Sequence, residues 1–261
     1  MLTFVKLGGS LITDKRVESS FRAAVVERVA AELKAALDQH SDLQLVVGHG
    51  SGSFGHFAAA RYKTIEGVHS AEEWHAFAHV ATVASELNQL VAKTFDTAGI
   101  PVWRMQPSAS AASHDGILTD MALTPIQQAL AHQLVPLVYG DVALDTVRGG
   151  TIVSTEAIFF YLAQHLPVQQ ILLLGEVAGV YDQDQHVIPA ITPQNYDGIA
   201  AALGGSAGID VTGGMETKVR DMLALTERVS GLHIRIMDGT QPGLLERTLL
   251  GHEKPGTLIH T

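Results

Sequence analysis

Lysine beside glycine recurs in this chain where a strand ends or a helix begins, and that pairing suits the binding of phosphoryl groups. Thr3-Phe4-Val5-Lys6-Leu7 reads as a short strand, so Gly8-Gly9-Ser10 falls where the backbone turns sharply and offers bare amides. A second cradle, Gly48-His49-Gly50-Ser51-Gly52-Ser53-Phe54-Gly55-His56, follows the apolar run Leu43 to Val47 directly. Its glycines let the chain approach phosphoryl oxygens closely, and His56 stands at the far end, either as a donor to a phosphate or as the cap of the next helix. The third segment is Asp210-Val211-Thr212-Gly213-Gly214-Met215-Glu216-Thr217-Lys218. Here Thr212 is a good N-cap, Gly213 and Gly214 free the first-turn amides, and Lys218 adds a full charge near a helix start that already favours anions. Two glycine-lysine sites at opposite ends of the chain suit one phosphate chain gripped from both sides. That is the requirement of a phosphotransferase, here without a Walker phosphate-loop sequence.

Competing motifs are weaker. Gly50-x-Gly52-x-x-Gly55 matches the dinucleotide fingerprint, but it follows the second strand, and the next acidic candidates, Glu72 and Glu73, open a helical pattern instead of closing a strand. His75 and His79 have the i, i+4 spacing of zinc ligands yet lack the intervening glutamate and a third ligand. Asp141 and Asp145 read either as magnesium ligands or as solvated turn residues, and no metal site is assigned. Trp74, Phe77, Ala78, Ala81 and Ser85 form a stripe that is either core or the lining of a small apolar pocket.

Composition sets the frame. The 261 residues are 46% hydrophobic and 17% charged, enough for a full globular core. There is no cysteine, which is compatible with a reducing cytoplasm, and no apolar run approaches the about 20 residues that cross a bilayer. No export signal is visible at the first residues, so a soluble cytoplasmic protein is expected. The net charge of -10 argues against general nucleic-acid binding. Any anionic substrate must be held by local positive charge, and three of the seven lysines, Lys6, Lys15 and Lys218, lie in or beside glycine-containing turns.

The elements that must position these residues alternate. Helical spacing runs from Phe21 to Gln39, from about Ala71 to Ala98 and from Val211 to Val229; Leu43 to Val47, Leu134 to Tyr139, Gln170 to Leu174 and His233 to Met237 read as strands. Met105 to Asp120 reads as a loop or hairpin. Alternation on this scale predicts an α/β fold, a three-layer sandwich whose central, mainly parallel sheet is covered on both faces. A soft boundary near Leu166-Pro167 divides residues 1–166 from residues 167–261.

With Gly140-Asp141 and Gly179-Val180-Tyr181, these segments resemble the amino acid kinase superfamily in order and over nearly the whole chain. Gly52-Ser53-Phe54-Gly55-His56 and the early Lys15 resemble, within it, the isopentenyl phosphate kinases. The resemblance implies ATP-dependent phosphorylation of isopentenyl phosphate, with Mg2+ carried mainly by the nucleotide and a homodimeric assembly. It implies an acceptor-binding lobe over 1–166 and a nucleotide-binding lobe over 167–261. It assigns Lys6, Lys15, His56 and Lys218 to catalysis. ATP would be held by Lys6, Gly8, Gly9, Ser10, Ser51, Glu176, Gly179, Tyr181, Gly213, Gly214 and Lys218, and the acceptor by Gly50, Gly55, His56, Thr155 and Glu156. Two departures stand out: Val153-Ser154-Thr155-Glu156-Ala157 replaces the usual Ile-Ser-Gly-Asp-Asp, and Gly175-Glu176-Val177-Ala178 replaces Thr-Asp-Val-Asp. A phosphonate kinase related to the fosfomycin-resistance enzymes and a non-catalytic nucleotide or oxyanion storage protein are the alternatives that this superfamily offers.

Overall fold

The computed structural model describes residues 1–203 and 215–261. The chain passes through β1 (Leu2–Leu7), the one-turn α1 (Gly9–Ile12), α2 (Ala23–Gln39), β2 (Gln44–His49), α3 (Gly52–Tyr62) and the long α4 (Ala71–Thr97). β3 (Val102–Arg104), a 3-10 turn, β4 (Ala112–His114), β5 (Ile117–Asp120) and α5 (Thr124–Ala131) follow. Then come β6 (Val135–Tyr139), β7 (Asp141–Asp145), β8 (Gly149–Val153), α6 (Thr155–Ala163), β9 (Val168–Gly175), β10 (Ala190–Ile191) and α7 (Tyr196–Leu203). The remaining described elements are α8 (Met215–Arg228), β11 (His233–Asp238), α9 (Leu244–Leu249) and β12 (Thr257–Ile259).

The expected three-layer α/β sandwich is what forms. Its main sheet has the order β10-β12-β11-β9-β1-β2-β6-β3, and only the β11–β12 pairing is antiparallel. Central strands are apolar on both faces, as burial by helices on both sides demands. Phe4, Val46, Val138 and Ile171 face one layer with Ile158, Phe159 and Val219 from α6 and α8. Val5, Leu45, Val47 and Leu172 face the other, with Val29, Leu33, Leu87, Val91 and Leu245 from α2, α4 and α9. The boundary expected near Leu166-Pro167 falls in the short link between α6 and β9, and β9 pairs directly with β1, so one sheet runs through both halves.

α4 starts where the sequence places it because Ser70 and Glu73 form a reciprocal capping box. The segment 105–120 contains a hairpin, β4–β5, which joins β7 and β8 in a second sheet of order β5-β4-β7-β8. Asp141 and Asp145 are therefore corrected from solvated turn residues to strand residues, only 2% and 5% exposed. The Asp145 carboxylate accepts the amides of Asp115, Gly116, Val147 and Arg148, so it organises two turns and is held to about pKa 2, those bonds outweighing the upward push of burial.

Candidate active site

β9, β1, β2 and β6 are neighbouring parallel strands, and the backbone bonds continue one rung past their carboxyl ends. Gly8 N donates to Leu174 O at 2.8 Å, Gly50 N to Leu7 O at 3.1 Å and Gly140 N to His49 O at 3.1 Å. The crevice outside such strand ends is where open α/β sheets bind ligands. Both expected cradles open onto it, and they touch. A Cβ on Gly9 would stand 2.8 Å from both N and Cα of Gly52. Gly52 itself has φ +51°, and a Cβ there would meet Thr13 Oγ1 at 2.4 Å. Glycine at both positions is what lets the two turns meet.

Lys6, Lys15, Lys218 and His56 all line this one cleft, together with Gly8, Gly9, Ser10, Gly50 and Ser51. Lys6 Nζ is 2.7 Å from Glu156 Oε1. Burial pushes the Glu156 carboxyl up, but the charges of Lys6 and Lys218 and the Lys6 hydrogen bond outweigh it and hold it below the usual carboxylate value. Glu156 is set by α6, whose N-cap Ser154 accepts the Ala157 amide at 3.1 Å. Lys15 is exposed on the loop after α1. That loop is stitched to α3: Ser53 N donates to Thr13 Oγ1 at 2.9 Å and Ser20 N to Ser53 Oγ at 3.1 Å. One framework thus carries Lys15 and His56. Thr155 reaches the cleft lining, but its hydroxyl donates inward to His49 O at 2.6 Å.

Gly52 to His56 form the first turns of α3, and His56 emerges exposed at a junction. On one side is the lysine cleft. On the other is a largely apolar pocket lined by Ala59, Ala60, Ile65, Val80, Ala84 and Ile152, with Ser51, Gly55, His56 and Gly140 shared by or near the cleft and Lys63, Glu66 and Asp141 as its charged lining. α4 serves this pocket through Val80 and Ala84, not through the stripe that the sequence suggested. Trp74 and Phe77 stack edge to face at 5.3 Å and lie against Gly149 and Gly150 of β8. Ala78 is exposed, as are His75 and His79, and His79 meets the edge of the Tyr62 ring.

The nucleotide half is reached by fewer of the expected residues. Gly175, Val177, Met215 and Ile236 line the cleft, whereas Glu176, Gly179 and Tyr181 do not. Glu176 pairs with Arg22 at 2.6 Å, Gly179 packs on Thr257 and Val187, and the Tyr181 hydroxyl accepts the Ala178 amide at 3.3 Å. Gly213 and Gly214, with the expected cap Thr212, lie outside the described residues. Sequence reasoning passed over Ile65, Ala59, Ala60, Ile152 and Ser154. Only Ser154 left a local signal, a serine ahead of an apolar helical run.

The fold and this lysine-lined crevice define a class. Residues 1–238 match the model of the amino acid kinase family, and the chain belongs to that family. It is 34% identical to isopentenyl phosphate kinase of Methanocaldococcus jannaschii, covering 99% of this chain and 98% of that one. The enzyme of the same name from Methanothermobacter thermautotrophicus is 33% identical over the same shares. An isopentenyl phosphate kinase crystal structure superimposes with TM-score 0.84 at 30% identity, over 99% of this chain and 100% of the other. Within the family, the chain is thus grouped with the isopentenyl phosphate kinases.

Proposed function

We propose that this chain transfers the γ-phosphoryl group of ATP in line to the phosphate of isopentenyl phosphate, giving isopentenyl diphosphate. The observation that carries the reading is the position of His56, between a cleft lined by Lys6, Lys15 and Lys218 and an apolar pocket next to it. An acceptor with a phosphate head and a short hydrocarbon tail fits that junction: the head meets the imidazole and the tail lies among Ala59, Val80, Ala84 and Ile152. The acceptor monoester has a second pKa near 6, so it already bears the attacking oxyanion and needs no strong base. The work of the site is positioning and charge neutralisation.

Lys6 and Lys218 hold the donor β- and γ-phosphates, Lys15 follows the phosphoryl in flight, and Gly8, Gly9 and Ser10 supply amides to the donor. Glu156 is the one carboxylate among the described residues lining the cleft, and Lys6 already engages it. That donor set fits Mg2+ held mainly by nucleotide phosphates, where the ion supplies further charge neutralisation. Residues 1–166 serve the acceptor and 167–261 the nucleotide. We further propose a homodimer working in the cytoplasm, where ATP is available. Among the described residues no helix is long and apolar enough to cross a membrane.

The test is turnover of ATP with Mg2+ against a panel of isopentenyl phosphate, a small phosphonate and no acceptor. The expected result is strong preference for isopentenyl phosphate. Preference for the phosphonate, or ATP binding without transfer to either, overturns it.

A further inference from the structure

Beneath the second cradle lies a buried polar chain that the phosphoryl-transfer reading does not use. His49, at the end of β2, and Asn88, on α4, are both fully buried. His49 Nδ1 is 3.0 Å from Gly50 O, and its Nε2 is 3.0 Å from Asn88 Nδ2. Asn88 Oδ1 accepts from Arg104 Nε at 2.7 Å. Arg104 sits exposed on the edge strand β3, where it also contacts Gln89 and Ser85. The His49 ring stacks on Tyr139 with centroids 5.7 Å apart and planes 10° from parallel.

The protons in this chain follow from its outer end. A guanidinium can only donate, so the Asn88 atom facing Arg104 is the carbonyl oxygen and the amide nitrogen faces His49. Nε2 of His49 must then accept, which leaves the single ring proton on Nδ1, where Gly50 O can only accept it. Burial pushes the His49 pKa down to about 4, in keeping with a neutral ring.

The consequence lies across the next peptide bond. In a trans peptide the C=O and N–H point in opposite directions, so a Gly50 carbonyl held toward the buried imidazole turns the Ser51 N–H away from it. Ser51 and Gly50 line the cleft and Ser51 also lines the acceptor pocket. We propose that Arg104, Asn88 and His49 are positioning residues: they fix the Nδ1–H tautomer and thereby aim the Ser51 amide at the phosphoryl group in transit. The inference rests on the proposed kinase reading for its kinetic outcome, and on geometry alone for its tautomer.

The experiment therefore has two arms. In the first, 15N NMR of the histidine-labelled wild-type protein identifies the protonated nitrogen of His49. Nδ1–H is expected, and Nε2–H overturns the proposal whatever the chain catalyses. In the second, ATP-dependent turnover of isopentenyl phosphate is compared among variants. His49→Phe keeps a ring against Tyr139 but loses the donor, whereas His49→Asn loses volume but keeps a donor near the Nδ1 position. Loss of an aimed amide lowers kcat by about tenfold or more in His49→Phe with both KM values little changed. His49→Asn regains most of it although it leaves the larger void. A merely structural role ranks the two by thermal stability instead, and equal kcat in both overturns the proposal.

Arg104→Met is the variant that keeps the test open if neither His49 variant folds. Removing this exposed side chain frees Asn88 to rotate, so the His49 tautomers mix and kcat falls severalfold with both KM values little changed. An unmixed tautomer with unchanged kcat sinks the relay. If the wild type itself transfers nothing to isopentenyl phosphate, the kinase reading fails while the tautomer result stands.

Discussion

The Nζ of Lys6 and the Oε1 of Glu156 meet at 2.7 Å where the end of β1 faces the first turn of α6. Both side chains are largely withdrawn from water, at 13% and 25% exposure, so the pair is a fixture of the cleft wall and not a passing surface contact. In Glu156→Gln the geometry survives but the lysine loses its countercharge and its aim. We expect kcat to fall by about tenfold to a hundredfold, since small misplacements of a charge in flight are expensive. The sign of the pH effect follows from the lowered Glu156 pKa. Its stabilising contribution is fully present above the unfolded value of about 4.3 and is lost as pH falls through the folded value. Thermal melts from pH 6 to pH 3 should show a steeper acid loss in the wild type than in Glu156→Gln.

His56 sits between the cleft and the apolar pocket, touching the lining of both. A charge-assisted hydrogen bond to a phosphate is worth about 2–3 kcal/mol, so His56→Ala should lower kcat/KM for isopentenyl phosphate by about a hundredfold. ATP affinity, measured by titration calorimetry, should stay as in the wild type. Unchanged acceptor kinetics would remove His56 from the site.

The meeting of Gly9 with Gly52 gives a backbone prediction. A methyl at Gly9 would collide with backbone at 2.8 Å, and backbone cannot step aside as a flexible side chain can. Gly9→Ala should separate the two turns, costing about 2 kcal/mol or more in denaturant titration and raising KM for both substrates. A variant with wild-type kinetics would show that the turns act independently.

The parts of this molecule that sequence reveals are those governed by local rules. Val5 and Val47 sit in buried apolar runs that end at Gly8 and Gly48, and a strand with such an ending is recognisable without its neighbours. Lys6 and Lys218 were found through the glycines near them and Lys15 through the family resemblance, and the structure brings all three to one cleft. The β7–β8 hairpin was hidden because Asp141 and Asp145 speak against a strand by propensity. Tertiary contacts override that: Asp145 accepts amides of two separate turns. The apolar pocket was hidden for another reason. Val80 and Ala84 lie one turn apart on α4, but which face of that helix meets α3 depends on packing that no single segment encodes.

His49 gives a pH dependence of the opposite origin to that of Glu156. Burial lowers its pKa to about 4, so between there and the unfolded value of about 6.5 the unfolded chain binds the extra proton. Stability must then rise with pH across that window, by at most about 1.4 kcal/mol per pH unit from this group. Urea titrations at pH 5 and pH 7 should show the difference in the wild type and a smaller one in His49→Asn. Equal stability at the two pH values would mean that His49 titrates in the fold as it does in the unfolded chain.

Under the proposed function, the apolar pocket should discriminate between acceptors of the same charge. Ala59 and Ala84 leave room where a branched side chain would fill space, and a tail bound there is displaced by added methylenes at a cost of about 0.8 kcal/mol for each CH2 of lost burial. Ala59→Leu should raise KM for isopentenyl phosphate by about tenfold or more, because several carbons lose their place at once. A small phosphonate, whose head needs only His56 and the glycine amides, should keep its residual turnover in the same variant. Steady-state kinetics with both acceptors therefore separate the two readings: equal losses for both would place the phosphonate tail in this pocket as well, whereas no loss for isopentenyl phosphate would show that its hydrocarbon lies elsewhere.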